Sequence, residues 1–158
     1  MTAPVIAVGQ GVSTRVTGVT LLNWPSAVGR VIADYLRRLD ASHEKLGAVL
    51  VLASPDLLDW AAGEYVAAER AARPTLPTEV LNADGCRAFG RATRLGWSGA
   101  AMALSCSPDD AGRIGAAVAR TSRARYSVIV EARAGVDLGG GTEGVTFDVL
   151  VRSADHAG

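Results

Sequence analysis

A layered α/β domain with one mostly parallel sheet is predicted by three observations in the sequence. Four short apolar runs alternate with longer amphipathic segments, two of those segments open on the same Ser-Pro-Asp triplet, and a fifth, alternating run follows the fourth after only a glycine-rich stretch. Continuous apolar runs suit strands covered on both faces, and long helical connections suit parallel neighbours. The last pair fits a hairpin. The expected sheet therefore has five strands, mostly parallel with the last strand antiparallel, and helices on both faces.

Residues 3–8, Ala-Pro-Val-Ile-Ala-Val, read as a first buried strand feeding the turn Gly9-Gln-Gly11. After a mixed polar and apolar passage, Trp24-Pro25-Ser26 opens a helix. In it Val28, Val31, Ile32, Tyr35, Leu36 and Leu39 recur mostly every three or four residues, with Arg30, Asp34, Arg37 and Arg38 on the other face. Residues 47–53 form the second strand. Ser54-Pro55-Asp56 then supplies a capping hydroxyl, a residue without the N–H that would be orphaned, and an acid at the positive helix end. This helix runs through Leu57, Leu58, Ala61, Ala62, Tyr65 and Val66 to about Ala72, before Pro74 and Pro77.

Residues 78–93 read as a weaker helix interrupted by Gly85 and Gly90. Gly96 and Gly99 bracket a turn into the third strand, Ala100-Ala-Met-Ala-Leu-Ser-Cys106, whose small residues imply close neighbours on both faces. Ser107-Pro108-Asp109-Asp110 repeats the cap, with Ile114, Ala117 and Val118 expected to face inward. Residues 126–132 form the fourth strand. Gly139, Gly140, Gly141 and Gly144 make a flexible turn into residues 145–151, whose alternation suits a strand at or near the sheet edge.

At 158 residues the chain is a single domain, long enough to bury roughly two thirds of its unfolded surface. Sixteen Lys plus Arg balance sixteen Asp plus Glu, so no net field recruits nucleic acid or an anionic membrane. The cations are fifteen arginines and one lysine, grouped at Arg37 and Arg38, at Arg87, Arg91 and Arg94, and at Arg120, Arg123 and Arg125. The last group reads as a solvated helix end. No signal-like amino terminus or bilayer-length apolar run is present, so the expectation is a soluble cytoplasmic protein. Cys86 and Cys106 form no disulfide framework and match no zinc spacing, and His43 and His156 are the only histidines, so no metal and no cofactor are expected.

Three segments resemble the amino-terminal half of a β-ketoacyl synthase, a thiolase-like fold. Val5-Ile-Ala-Val-Gly-Gln-Gly-Val-Ser13 resembles that family's first strand and turn. Arg94-Leu-Gly-Trp-Ser-Gly99 resembles the glycine-rich approach to its nucleophile strand, and residues 137–151 resemble the loop and strand after the fourth strand. The likeness covers about residues 3–152 and implies the same element order. It also implies dimerisation through the nucleophile strand, here Ala100, Ala101, Met102, Ala103, Leu104, Ser105 and Cys106, with Trp97 beside the seam.

The chain departs from the family where the chemistry sits. The family's nucleophilic cysteine stands in a Thr-Ala-Cys-Ser-like setting at a helix start, and counting from Gly99 places Pro108 there. Proline has no nucleophilic atom and no N–H for an oxyanion hole. Cys106 lies two residues earlier. It reads as a small buried strand residue, or as a thioester-forming nucleophile if the strand end shifts and a cation or helix terminus lowers its pKa. The family's histidine partners belong to its carboxy-terminal half, and neither His43 nor His156 has a context that points at Cys106. Asp109 and Asp110 are explained by helix electrostatics.

The resulting expectation is a truncated, non-catalytic ketosynthase-like accessory subunit of polyketide or fatty-acid type biosynthesis. It would bind a ketosynthase subunit, an acyl-carrier protein, or both, as a homo- or hetero-oligomer. The alternative is a minimal acyltransferase or thioesterase using Cys106. A third reading is a structural dimer holding a small hydrophobic ligand.

Overall fold

The computed structural model describes residues 4–39, 48–72, 74, 85–94, 97, 99–135 and 144–156. Five strands form one sheet: β1 (Val12–Val19), β2 (Val49–Ala53), β3 (Ala101–Leu104), β4 (Tyr126–Ala134) and β5 (Val145–Asp155), in the order β1-β5-β4-β2-β3. β2 pairs in parallel with both β3 and β4, whereas β5 is antiparallel to β4 and to β1. It follows that β1 to β4 share one direction and only the last strand opposes them.

The helices are α1 (Trp24–Arg38), α2 (Pro55–Arg70), the short α3 (Gly90–Arg94), preceded by a 3-10 turn over Gly85–Phe89, and α4 (Pro108–Ser122). Side-chain alternation along the strands separates two cores. Leu50, Leu52, Val128, Val130, Phe147 and Val149 face α1, α2 and the 3-10 turn, where Trp24, Ile32, Leu36 and Leu57 fill the space. Val49, Val51, Ala53 and Ile129 point the other way, onto Ala111 and Ala119 of α4.

Local chemistry accounts for the helix starts. Ser54 and Ser107 accept hydrogen bonds from Leu57 N (3.1 Å) and Asp110 N (3.2 Å), with proline next and acids in the first turn. α1 instead begins after Asn23, whose side chain is turned back to Thr20 N (2.8 Å) and Gly18 O (3.1 Å).

Three expectations are corrected. The expected strand over residues 3–8 is not a ladder strand in its described part, 4–8: Ile6 makes a single bridge to Leu39, and Val5 is 70% exposed. The first strand is instead the mixed passage Val12–Val19, which tolerates polar residues because it is a sheet edge with one hydrogen-bonded neighbour. β5 lies second from that edge, between β1 and β4, as its alternation suits. The inward face of α4 is Ala111, Gly115 and Ala119, which lets the helix lie close to the sheet, whereas Ile114 is 39% exposed. The weak helix is a 3-10 turn followed by α3 over residues 85–94, and its first part, 78–84, lies outside the described residues, as do His43 and Gly139, Gly140 and Gly141.

Candidate functional site

The carboxyl ends of parallel strands are where α/β sheets usually place their chemistry. Here that end is formed by Ala53 into α2, Leu104 into α4, and the end of β4. Ser54 ties the three together. Its hydroxyl donates to Ala132 O on β4 while accepting from Leu57 N, and its backbone N–H donates to Leu104 O at 3.3 Å. Ser54 is fully buried, so this hydroxyl is structural in place.

β3 lies at one edge of the sheet, next to β2. Leu50 N donates to Ala100 O and Ser54 N to Leu104 O, so alternate residues of β3 turn their backbone groups toward β2. Ala101 and Ala103 then direct theirs outward, and no strand pairs with them among the described residues. Ala101 is exposed and Met102, Ala103 and Leu104 are half-buried.

Beyond Leu104, Ser105 is exposed, Cys106 half-buried and Ser107 caps α4, whose first residue is Pro108. Burial pushes the Cys106 thiol pKa up, and the nearby Asp110 carboxylate pushes the same way. Asp110 is itself held below the usual carboxylate range by hydrogen bonds from Arg113 and Ser107. The cation nearest in the helix is thus spent on Asp110 rather than on the sulfur. A nucleophilic cysteine needs the opposite arrangement.

His156 is elsewhere. Its Nε2 lies 2.7 Å from Ser127 Oγ, and Ser127 pairs with Val49 at the start of β2, about 13 Å along the strand direction from the Ala53–Leu104 end that leads to Cys106. No cluster of three metal-ligating side chains occurs among the described residues. The side chain of Cys86 lies outside them. Trp97 is 4% exposed and packs into the core on the α1 face.

A feature not anticipated from the sequence adjoins α4. The β4, β5 and β1 part of that sheet face is open over a cavity of about 400 Å³ bordered by Pro108, Asp109, Ile129, Glu131, Leu150 and Arg152. Arg152 donates to Pro108 O at 3.3 Å, and Arg133 pairs with Glu131 at 2.6 Å. The signal was present in the alternation: Ile129, Glu131 and Arg133 share a face, and charges there mark where helix cover stops.

No family model matches the chain, and no curated protein does. Solved structures do. The chain superposes on the ketosynthase (ApeO) in complex with its chain length factor (ApeC) from Xenorhabdus doucetiae with a TM-score of 0.50 and 12% identity, covering 78% of this chain and 56% of that one. The ishigamide ketosynthase/chain length factor matches with a TM-score of 0.51 and 18% identity, covering 85% and 45%.

The chain has a ketosynthase-like, thiolase-like half-fold.

It spans about half the length of the chains it matches. Within this half-fold the strand entering Cys106 is a sheet edge and the helix leaving it begins with proline. No helix among the described residues is long and apolar enough to cross a membrane.

Proposed function

We propose that the protein is a non-catalytic, ketosynthase-like accessory subunit of polyketide or fatty-acid type biosynthesis. It acts in the cytoplasm by binding a ketosynthase subunit, an acyl-carrier protein, or both. The observation that carries this reading is the junction of β3 and α4. It presents an open strand edge that leads, two residues on, to a cysteine with no cation or histidine beside it among the described residues, followed by a proline that supplies no N–H.

Condensing chemistry needs a thiolate and groups that move protons. Burial and Asp110 both disfavour the thiolate at Cys106, so an interfacial role is the better use of the same scaffold. An apolar edge strand calls for cover, and the outward Ala101, Ala103 and the half-buried Met102 and Leu104 are the groups a partner would meet. Ile114 adds exposed apolar surface on α4. Both matched structures pair a ketosynthase with a chain length factor, which supports a partner of that kind.

The test is native mass spectrometry of the tagged protein purified from its source cell, with thiol labelling in parallel. Recovery of a ketosynthase or carrier protein at fixed stoichiometry, with Cys106 alkylated more slowly than a free thiol at neutral pH, supports the proposal. A monomer without such partners overturns it. Acylation of Cys106 by a short acyl thioester, lost in Cys106→Ala, would instead favour an acyltransferase or thioesterase.

A further inference from the structure

A second site lies away from the β3 edge, at the amino end of α1. A cavity of about 230 Å³ is lined there by Leu22, Pro25, Ser26, Arg87, Arg91 and Arg94 around the backbone of Gly90, and no carboxylate borders it among the described residues. Arg15, Arg38, Arg113, Arg125 and Arg133 each hold an acidic partner. Arg87, Arg91 and Arg94 have none among the described residues; Arg91 only reaches Ser26 Oγ at 3.5 Å. Three exposed guanidinium groups thus gather at one cavity with no acidic partner among the described residues, a local excess of positive charge that favours a bound anion.

The surroundings add to that field. α1 has no acid in its first turn and no side-chain cap, unlike α2 and α4, so its positive end is unscreened beside the arginines. The arrangement is also fixed by packing. α1 and the 3-10 turn touch backbone to backbone at Gly29 and Ala88, and Ala88, Phe89 and Ala92 are buried, which anchors the segment that carries all three arginines.

We infer that this cavity binds the phosphate group of a small-molecule phosphate ester or diphosphate. One carboxylate would neutralise a single guanidinium. A phosphate or diphosphate brings two or three charges, and several oxygens to match the planar donor forks of arginine. The volume is below the roughly 300 Å³ at which pockets begin to enclose a drug-sized ligand, so it takes the head group. Leu22, 47% exposed, and Pro25 form an apolar lip for the attached carbon chain. This inference does not depend on the accessory-subunit reading.

The experiment is calorimetric titration of the full chain with inorganic pyrophosphate at constant ionic strength, and with citrate as a carboxylate trianion. Saturable pyrophosphate binding is expected, with citrate at least about tenfold weaker. Arg91→Lys keeps the charge but loses the fork and should weaken binding by about tenfold. Arg87→Ala/Arg91→Ala/Arg94→Ala should abolish it, while the distant Arg120→Ala leaves it unchanged. Circular dichroism checks the fold, and Arg94→Gln alone, at an exposed position, reads the same loss if the triple variant does not fold. Absence of saturable binding, equal binding by citrate, or variants that bind within twofold of the parent protein would overturn the inference.

Discussion

Gly29 of α1 and Ala88 of the 3-10 turn meet backbone to backbone: a Cβ at Gly29 would stand 2.9 Å from the Ala88 carbonyl oxygen. That is too close for any side chain, so α1 or the turn would have to move. Gly29→Ala gains helix propensity but should still lose roughly 1–3 kcal/mol from overpacking, and Gly29→Val more. Gly63, in α2, has open space around the same position. Gly63→Ala should therefore be neutral or stabilising by up to about 1 kcal/mol. Thermal melts of the two variants check this, and equal midpoints would show that the contact yields freely.

Ser54 and Ser107 look alike in sequence, and the structure separates them. Both cap a helix, but Ser54 is buried and also donates to Ala132 O across the sheet. Ser54→Ala should cost about 2–3 kcal/mol, from the lost cap and a stranded carbonyl. Ser107→Ala removes an exposed cap only and should cost about 1 kcal/mol. Urea midpoints of the two variants give the difference.

That pair also shows what the sequence could reveal. Strong local signals, namely the two Ser-Pro-Asp caps, the α1 stripe and the continuous runs of β2 and β4, map directly onto elements. β1 was hidden because an edge strand need not be apolar: its residues 12–19 are mostly exposed, and its pairing with β5 is entirely non-local. Residues 3–8 read as a strand for the converse reason, an apolar run, but without a ladder partner the described residues 4–8 fully bury only Ile6. The inward face of α4 was misjudged because close packing selected Ala111, Gly115 and Ala119 over the larger Ile114. At the candidate site, Pro108 at the helix start was legible from spacing. The electrostatics of Cys106 and the convergence of Arg87, Arg91 and Arg94 on α1 were not, because they depend on tertiary neighbours.

Arg15 and Asp148 lie directly opposite on β1 and β5, joined at 2.9 Å. The hydrogen bond from Arg15 holds the Asp148 carboxyl below its usual range. A depressed carboxyl stabilises the fold above its unfolded value, about pH 3.9, and that contribution is lost as pH falls through the folded value. Asp148→Asn should therefore show a shallower loss of stability than the parent protein from about pH 5 downward, converging with it in strong acid. The pair is exposed, so the effect is small and shrinks in high salt. Urea midpoints measured across pH at two salt concentrations test it, and parallel curves would remove the linkage.

The β3 edge permits a substitution that tests the proposed partner binding separately from folding. The backbone N–H of Ala103 points away from β2, since the bonds to β2 come from Ala100, Met102 and Leu104. Proline is tolerated on an edge strand where its missing N–H faces solvent. Ala103→Pro should then leave the β2–β3 ladder intact and cost no more than about 1 kcal/mol, yet remove a donor that any strand-pairing partner requires. Met102→Pro, at the neighbouring residue whose N–H faces β2, deletes a donor to β2 and should destabilise the fold by about 3 kcal/mol. Light scattering coupled to size exclusion reads the assembly state while thermal melts read the fold. Where the parent protein assembles as proposed, a folded Ala103→Pro protein that stays monomeric locates the interface at β3, and one that assembles equally moves it to another surface; a monomeric parent protein removes the proposed self-association.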